Sequence, residues 1–583
     1  MLLMAALSHS AFAVRAMGGW FCSRQSDGTT IEVTQRGDEW LNYFVTRDGV
    51  PLVLDDKGDF CYADAFGFGM KSSGVVAHEQ GMRSLDEQRH VRSLADVEAV
   101  GENAAAARLQ AAMRRATLQP SKRVGKFSGL VILAYFQDME FKSQSTVVDD
   151  YKTILNKGGF TNQYAIGSLR DYFLAQSHGL FDLTFDVVGP IQVSGTHLSY
   201  SATSNVRSKL VPEVIKAVPD TVDFTKYDWD DDGEVDQVMI IYAGYGGNQY
   251  YQDHKEETGK ANGCIWPHEW TVNTLLSRNG VTIGTYACSN ELEISDDSYS
   301  GIGTIAHEFA HCLGLPDTYD TNYNSSATST GGLMDTWDLM DGGNYLRHGW
   351  VPPNFSAFER AYCGWLEPVV LQNDTTVANM PWLNEKNNMA YKIVNQCSSN
   401  SIDEYYILEN RQKKGWDSYV PDHGMLIWHI DYNKSVWRSN GVNDNIDHLR
   451  CMAICADNEP FKFYTDNKQM KGITYPHTDS EGGTINELTD YSTPAATVFN
   501  TNTDGTKRMG KPIRQITETN SLIGFKFFSS NATPVKAVST AEGEATIANT
   551  YRLNGQRMAN GSSQGRQVVI ARDANGNARK MVK

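Results

Sequence analysis

Two histidines and a glutamate within Gly301-Ile302-Gly303-Thr304-Ile305-Ala306-His307-Glu308-Phe309-Ala310-His311-Cys312-Leu313-Gly314-Leu315-Pro316-Asp317 have the types and spacing for metal chemistry. Residues four apart stand one turn above each other on a helix, so His307 and His311 aim their imidazoles at one point. Neutral imidazole is a common zinc ligand, and a catalytic zinc takes three protein ligands and leaves a fourth position to water. Gly314 can adopt the left-handed conformation that ends a helix, and Pro316 forbids its immediate resumption. The chain then folds back to present Asp317, whose carboxylate is the third candidate ligand. Glu308 follows His307 by one residue and points about 100° round the helix axis. It flanks the metal and is placed as a general base, taking the proton of a water that the ion acidifies for attack on a carbonyl.

The pattern His-Glu-x-x-His-x-x-Gly-x-x-Asp, followed by Trp337-Asp338-Leu339-Met340-Asp341-Gly342-Gly343, resembles the signature of the metzincins, in which a methionine turn follows the zinc helix. With aspartate as the third ligand, the chain more narrowly resembles the immune inhibitor A family of secreted zinc metallopeptidases. Gly167-Ser168-Leu169-Arg170-Asp171-Tyr172-Phe173, Ser177-His178-Gly179, Glu404 to Glu409 and Gly424 to Asp431 extend the likeness beyond the helix. The resemblance implies a zinc-dependent endopeptidase with protein or peptide substrates, zinc on His307, His311 and Asp317, and an apolar floor at Met340. Some metzincins carry a tyrosine two residues after that methionine, where this chain has Gly342. Tyr345 is the nearest candidate for a contact to the oxyanion.

A second constellation is Asp228-Trp229-Asp230-Asp231-Asp232-Gly233-Glu234-Val235-Asp236. Asp228, Asp230, Asp232 and Asp236 stand at positions 1, 3, 5 and 9 of a calcium loop, with glycine at 6 and Glu234 at 7. Met239 occupies position 12 and a strand follows, so the loop is not an EF-hand. The expectation is a structural calcium site. His178 reads as a helix-end or core residue, and His429 and Asp431 as hydrogen-bonding residues on one strand face.

Positioning these residues requires a folded chain of several units. Its 583 residues, 41% hydrophobic and 11% aromatic, suit about three to five domain-sized bodies. A formal net charge of −17 argues against nucleic-acid binding, and no stretch after the first dozen residues is long and apolar enough to span a bilayer. Residues 1–13 have the apolar run and Ala-x-Ala ending of a signal peptide without its basic start, which predicts export. Nine cysteines are too sparse for a disulfide scaffold, though Cys264 with Cys288 is a plausible pair.

The expected fold is α+β. A metzincin-like catalytic domain (123–370; twisted sheet, zinc helix, methionine turn) follows an N-terminal propeptide domain (14–122) and precedes a β-sandwich domain (371–530). Within the propeptide, strand-like phrases meet at Asp-Gly turns, a helical run covers Asn103 to Arg115, and Arg114-Arg115 or Lys122-Arg123 are candidate activation points. Cys22 or Cys61 is a candidate thiolate block of the zinc. The apolar run Gly129 to Phe136 reads as a buried central strand. Residues 531–583, through Tyr551 to Arg557, Val568 to Ala571 and the basic ending, resemble a β-rich sorting domain of the type IX secretion pathway. That likeness implies contact with outer-membrane secretion machinery and a secreted or cell-surface protein of a Gram-negative bacterium. Two other readings stay open: a gluzincin-type hydrolase whose third ligand is a later glutamate, and a secreted adhesin with a vestigial site.

Overall fold

The computed structural model describes residues 14–17, 19–38, 41–55, 57–66, 69–94, 123–249, 264–293, 297–321, 328–329, 331–332, 334–384, 386–396, 402–459, 461–462, 471–531 and three strands of the last segment. Residues 1–13, the Asn103 to Arg115 run, Lys122 and Cys397 lie outside them.

The first body is an antiparallel meander of six strands paired in chain order: β1 (Phe21–Arg24), β2 (Thr30–Gly37), β3 (Asn42–Thr46), β4 (Pro51–Leu54), β5 (Phe60–Phe66) and β6 (Gly69–Val76). The Asp-Gly turns fall where expected, with Gly28 and Gly49 at φ +89° and +82°. One face gathers Ile31, Val33, Phe44, Leu52, Phe60 and Tyr62 into a core. Helix α1 (Leu85–Ser93) follows, its start closed by a capping box between Ser84 and Glu87.

The second body carries the site. Its sheet has the order β10-β11-β9-β7-β8, with β7 (Gly125–Tyr135), β8 (Phe181–Gln192), β9 (Val238–Tyr245) and β11 (Val281–Leu292) parallel and β10 (His268–Arg278) antiparallel. Parallel neighbours need crossovers. Helices α2 (Val147–Asn156) and α3 (Leu169–Gln176) connect β7 to β8, and α4 (Val211–Ala217) lies between β8 and β9. Strand β7 is buried on both faces from Leu130 to Ala134, as its unbroken apolar run predicts. Val131 and Leu133 face α2, α3 and the histidine helix α5 (Ile302–Cys312), while Leu130, Ile132 and Ala134 face α4.

Beyond residue 365 the chain builds a six-stranded sheet in the order Gly331–Gly332, Cys451–Ile454, Gly424–Tyr432, Asp403–Arg411, Tyr391–Val394, Val369–Val370. A three-stranded sheet of Thr375–Met380, Leu522–Phe527 and Ile513–Thr519 shares an apolar core with one of its faces. The other face packs on Trp337 and Phe358. Because Gly331–Gly332 enters this sheet from the 123–370 segment, main-chain pairing crosses the expected boundary at 370. Buried Arg411 adds a second tie: it pairs with Asp417 and Glu409 and donates to the carbonyls of Trp337 and Asn354.

Residues 532–583 form a separate unit containing an antiparallel sheet of Ile547–Tyr551, Val568–Asp573 and Ala578–Val582. Residues 552–557 of the sorting-like motif are outside the described set. No disulfide joins the described cysteines, Cys264 and Cys288 included; the Cys288 sulfur instead packs 3.4 Å from His268 Nδ1. Among the described residues no helix is long and apolar enough to cross a membrane.

Candidate metal centre and cleft

Helix α5 ends as its sequence dictates. Gly314 sits at φ +87°, Leu315 N–H closes the end on the Ala310 carbonyl at 3.2 Å, and the chain reverses to bring Asp317 under the two histidines. His307 Nε2 and His311 Nε2 lie 3.1 Å apart, and Asp317 Oδ1 lies 3.2 and 3.5 Å from them. All three side chains are buried.

The tautomers follow from what the other ring nitrogens touch. His307 Nδ1 meets the Leu339 carbonyl at 2.7 Å and His311 Nδ1 meets the Leu315 carbonyl at 2.8 Å. A carbonyl only accepts, so each Nδ1 carries the proton and each Nε2 presents a lone pair to the shared point. Burial pushes His311 down to about 4, which keeps the ring neutral. Two lone pairs and an anionic oxygen converging in a buried space repel one another unless a cation lies between them, and Asp317 Oδ1 has no hydrogen-bond donor. Two nitrogens and one oxygen are a donor set that fits zinc.

The other Asp317 oxygen is held from far along the chain. Asn440 Nδ2 donates to Asp317 Oδ2 at 2.6 Å, and Asn440 Oδ1 accepts the Asp317 N–H at 2.7 Å. Asn443 donates to the Thr318 carbonyl at 2.7 Å. Sequence reasoning missed both asparagines, which carry no local signature.

Met340 is buried in the same apolar cluster as α5, and its carbonyl accepts the Thr318 N–H at 3.0 Å. The turn can approach the helix because residue 303 is glycine: a Cβ there would stand 2.0 Å from the Asn344 carbonyl oxygen. The turn thus supplies the Leu339 carbonyl to His307.

Glu308, also buried, turns toward the cleft and accepts the Val14 N–H on Oε1 at 3.0 Å. Residues 14–17 lie in that cleft. Trp266 Nε1 donates to the Val14 carbonyl at 2.8 Å, Tyr345 Oη donates to the Arg15 carbonyl, and Met17 N–H donates to the Asn248 carbonyl at 3.0 Å. Asn248 Nδ2 in turn donates to Tyr345 Oη at 2.8 Å. Tyr345 therefore meets a peptide main chain here. The segment is tied to the first body where Ala16 N–H donates to the Gly37 carbonyl at 2.8 Å. Neither thiol proposed as a zinc block is at the metal cluster: Cys61 is buried within the meander and Cys22 is exposed on β1. The cleft is entered by main chain instead.

In the acidic loop, Asp228, Asp230 and Asp236 converge closely enough to share one ion. The other two expected ligands do not join them. Asp232 accepts the Glu234 N–H at 2.8 Å, and the Glu234 carboxylate lies over Gly284. Burial, with Asp230, Asp232 and Asp228 nearby, pushes Asp236 up to about 7. His178 is an exposed residue at φ +53° just past α3, outside the core. His429 bonds Glu404 at 2.8 Å, and Asp431 bonds His448 and Arg450 at 2.6 and 2.7 Å.

Comparison with known proteins bears on the same region. Residues 134–365 match the family model described as immune inhibitor A peptidase M6, catalytic domain. Immune inhibitor A of Bacillus thuringiensis subsp. alesti is 29% identical over 223 residues, 33% of this chain and 31% of that protein. The pre-pro-metalloprotease PrtV of Vibrio cholerae serotype O1 is 26% identical over 228 residues, 33% of this chain and 23% of that protein. The chain thus spans about a third or less of the relatives it matches. The matched segment holds the histidine helix, Asp317 and the turn at Met340, and over it the chain is similar to the immune inhibitor A peptidases.

Proposed function

We propose that the protein is a secreted zinc-dependent endopeptidase made in a latent form. The observation that carries this reading is the meeting of His307 Nε2, His311 Nε2 and Asp317 Oδ1 in a buried space, with Glu308 beside them facing a peptide N–H. The family likeness and the relative described as a pre-pro-metalloprotease support it.

Zinc held by the three side chains would polarise a peptide carbonyl and make a water easier to deprotonate. The chain's own residues do the rest. Glu308 takes one proton of that water and passes it to the leaving amine, so that water and one peptide bond become a carboxylic acid and an amine. Its Oε1 already lies within hydrogen-bond reach of an amide nitrogen, the position a leaving amine occupies. Trp266 and Tyr345 fix the main chain that follows, and the two Nδ1 bonds orient the imidazoles before any ligand arrives.

Latency follows from the same contacts. Residues 14–17 fill the cleft that an extended substrate needs, and the six-stranded meander anchors them. In this reading 14–122 is a propeptide and removal of the cleft segment activates the enzyme. Export by residues 1–13, structural calcium at Asp228, Asp230 and Asp236, and a sorting role for 531–583 complete the proposal. Casein hydrolysis by chain processed before residue 130, set beside the intact chain, tests it. The processed form should be active and chelator-sensitive and the intact form much slower; inactivity of zinc-loaded processed protein on unfolded substrates would overturn the reading.

A further inference from the structure

We propose that the cleft selects substrates carrying arginine or lysine at the second residue beyond the scissile bond, through an acidic pocket made by Asp335 and Asp341. The inference rests on the peptidase reading and adds a substrate class to it. Val14 presents its amide nitrogen to Glu308, so it occupies the place of the first residue on the leaving-amine side. Arg15 is then the second, and its main-chain carbonyl is held by Tyr345.

The Arg15 side chain shows what the next pocket accepts. Its Nη2 lies 2.6 Å from Asp335 Oδ1 and its Nη1 lies 3.2 Å from Asp341 Oδ1. The Asp341 side chain is fully buried and that of Asp335 is 15% exposed. The pocket is built rather than incidental: Asp341 Oδ2 accepts the Asp335 N–H at 2.7 Å, with Asp335 held at φ +43°. Its floor is Gly342, where a Cβ would meet the Arg15 guanidinium and Asp335 Oδ1, so a side chain there would push the cation from its present place.

Both carboxylates flank Met340 and belong to the catalytic body, so they stay when residues 14–17 leave. A buried carboxylate beside a second one is unfavourable without a counter-charge. A basic substrate side chain restores the ion pairs that Arg15 makes, whereas an acidic one adds repulsion.

The test uses processed enzyme and peptides of one sequence that differ only at the second residue after the cleaved bond: arginine, lysine, norleucine, glutamine or glutamate. The kcat/KM for arginine and lysine should exceed that for norleucine about tenfold or more, with glutamate slowest. Asp335→Asn should bring the arginine-to-norleucine ratio toward one. In case that variant folds poorly, mass spectrometry of wild-type cleavage products from unfolded proteins gives a second readout, with basic residues enriched at that position. Equal rates for arginine and norleucine, or a wild-type ratio in a folded Asp335→Asn enzyme, would overturn this proposal while leaving the peptidase reading intact. Failure to cleave any peptide would overturn both.

Discussion

Replacing Asn440 should weaken zinc binding although this residue is not a zinc ligand. Its amide makes two bonds to Asp317, donating to Oδ2 at 2.6 Å and accepting the N–H at 2.7 Å, which leaves Oδ1 facing the histidines. A hydrogen bond to a charged group contributes about 1.5–3 kcal/mol, equivalent to roughly 10- to 150-fold in an equilibrium constant. Groups that orient metal ligands are worth about 10- to 100-fold in metal affinity, so the two estimates agree. Asn440 sits at φ +54°, where alanine is strained and glycine is not. Asn440→Gly therefore removes the two bonds without adding backbone strain, and Asn440→Ala adds the strain. Zinc affinity measured by competition with a chromophoric chelator should fall by about 10- to 100-fold in both variants. Thermal unfolding of the metal-free proteins should show alanine as the less stable of the two. Wild-type affinity in Asn440→Gly would refute the idea that this amide aims the carboxylate.

Three further outcomes are expected. Calcium should raise the unfolding temperature of wild-type protein, and Asp228→Asn with Asp230→Asn should abolish the increase, as read by calorimetry with calcium or a calcium chelator. Arg15→Glu in the intact chain should raise its residual casein hydrolysis, because glutamate beside Asp335 and Asp341 repels where arginine pairs; unchanged latency would count against the cleft segment as the block. The third concerns pH. Burial pushes His268 down to about 4 from an ordinary 6.5, its Nδ1 facing the Trp266 carbonyl and its Nε2 the Tyr286 hydroxyl. Between pH 6.5 and 4 the unfolded chain takes up a proton that the folded one refuses, so this residue's stabilising contribution falls on acidification, by about 3 kcal/mol across the window. His268→Gln keeps a donor and an acceptor without a titrating ring. Denaturant midpoints from pH 7 to 4 should decline less steeply in this variant, and parallel profiles would contradict the assignment.

What could be read in the sequence was local. The spacing of His307, Glu308 and His311, the glycine that ends their helix and Asp317 three residues later are fixed by helix geometry within eleven residues. The continuous apolar run at 129–136 and the Asp-Gly turns were legible for the same reason, because period and turn chemistry are short-range signals. Residues brought in by folding were not. Asn440 lies 123 positions from the carboxylate it holds, and Val14 lies 294 from Glu308. Nothing local marks Gly303 as the place where the Asn344 carbonyl comes too close for a Cβ. Spacing offers five ligands in the acidic loop because it cannot tell a carboxylate that faces its partners from one, such as Asp232, that accepts an N–H of its own loop. Composition does not report pairing either, and so gave no sign that Gly331–Gly332 joins the sheet built mainly by the chain after 370.

The central claim, that Glu308 is the base beside a zinc held by His307, His311 and Asp317, is tested most directly by Glu308→Ala in processed protein. Metal analysis and casein turnover should be measured on the same sample. One zinc per chain with turnover reduced at least about a hundredfold is the outcome expected for loss of a general base. Zinc retained with turnover at the wild-type rate would contradict it.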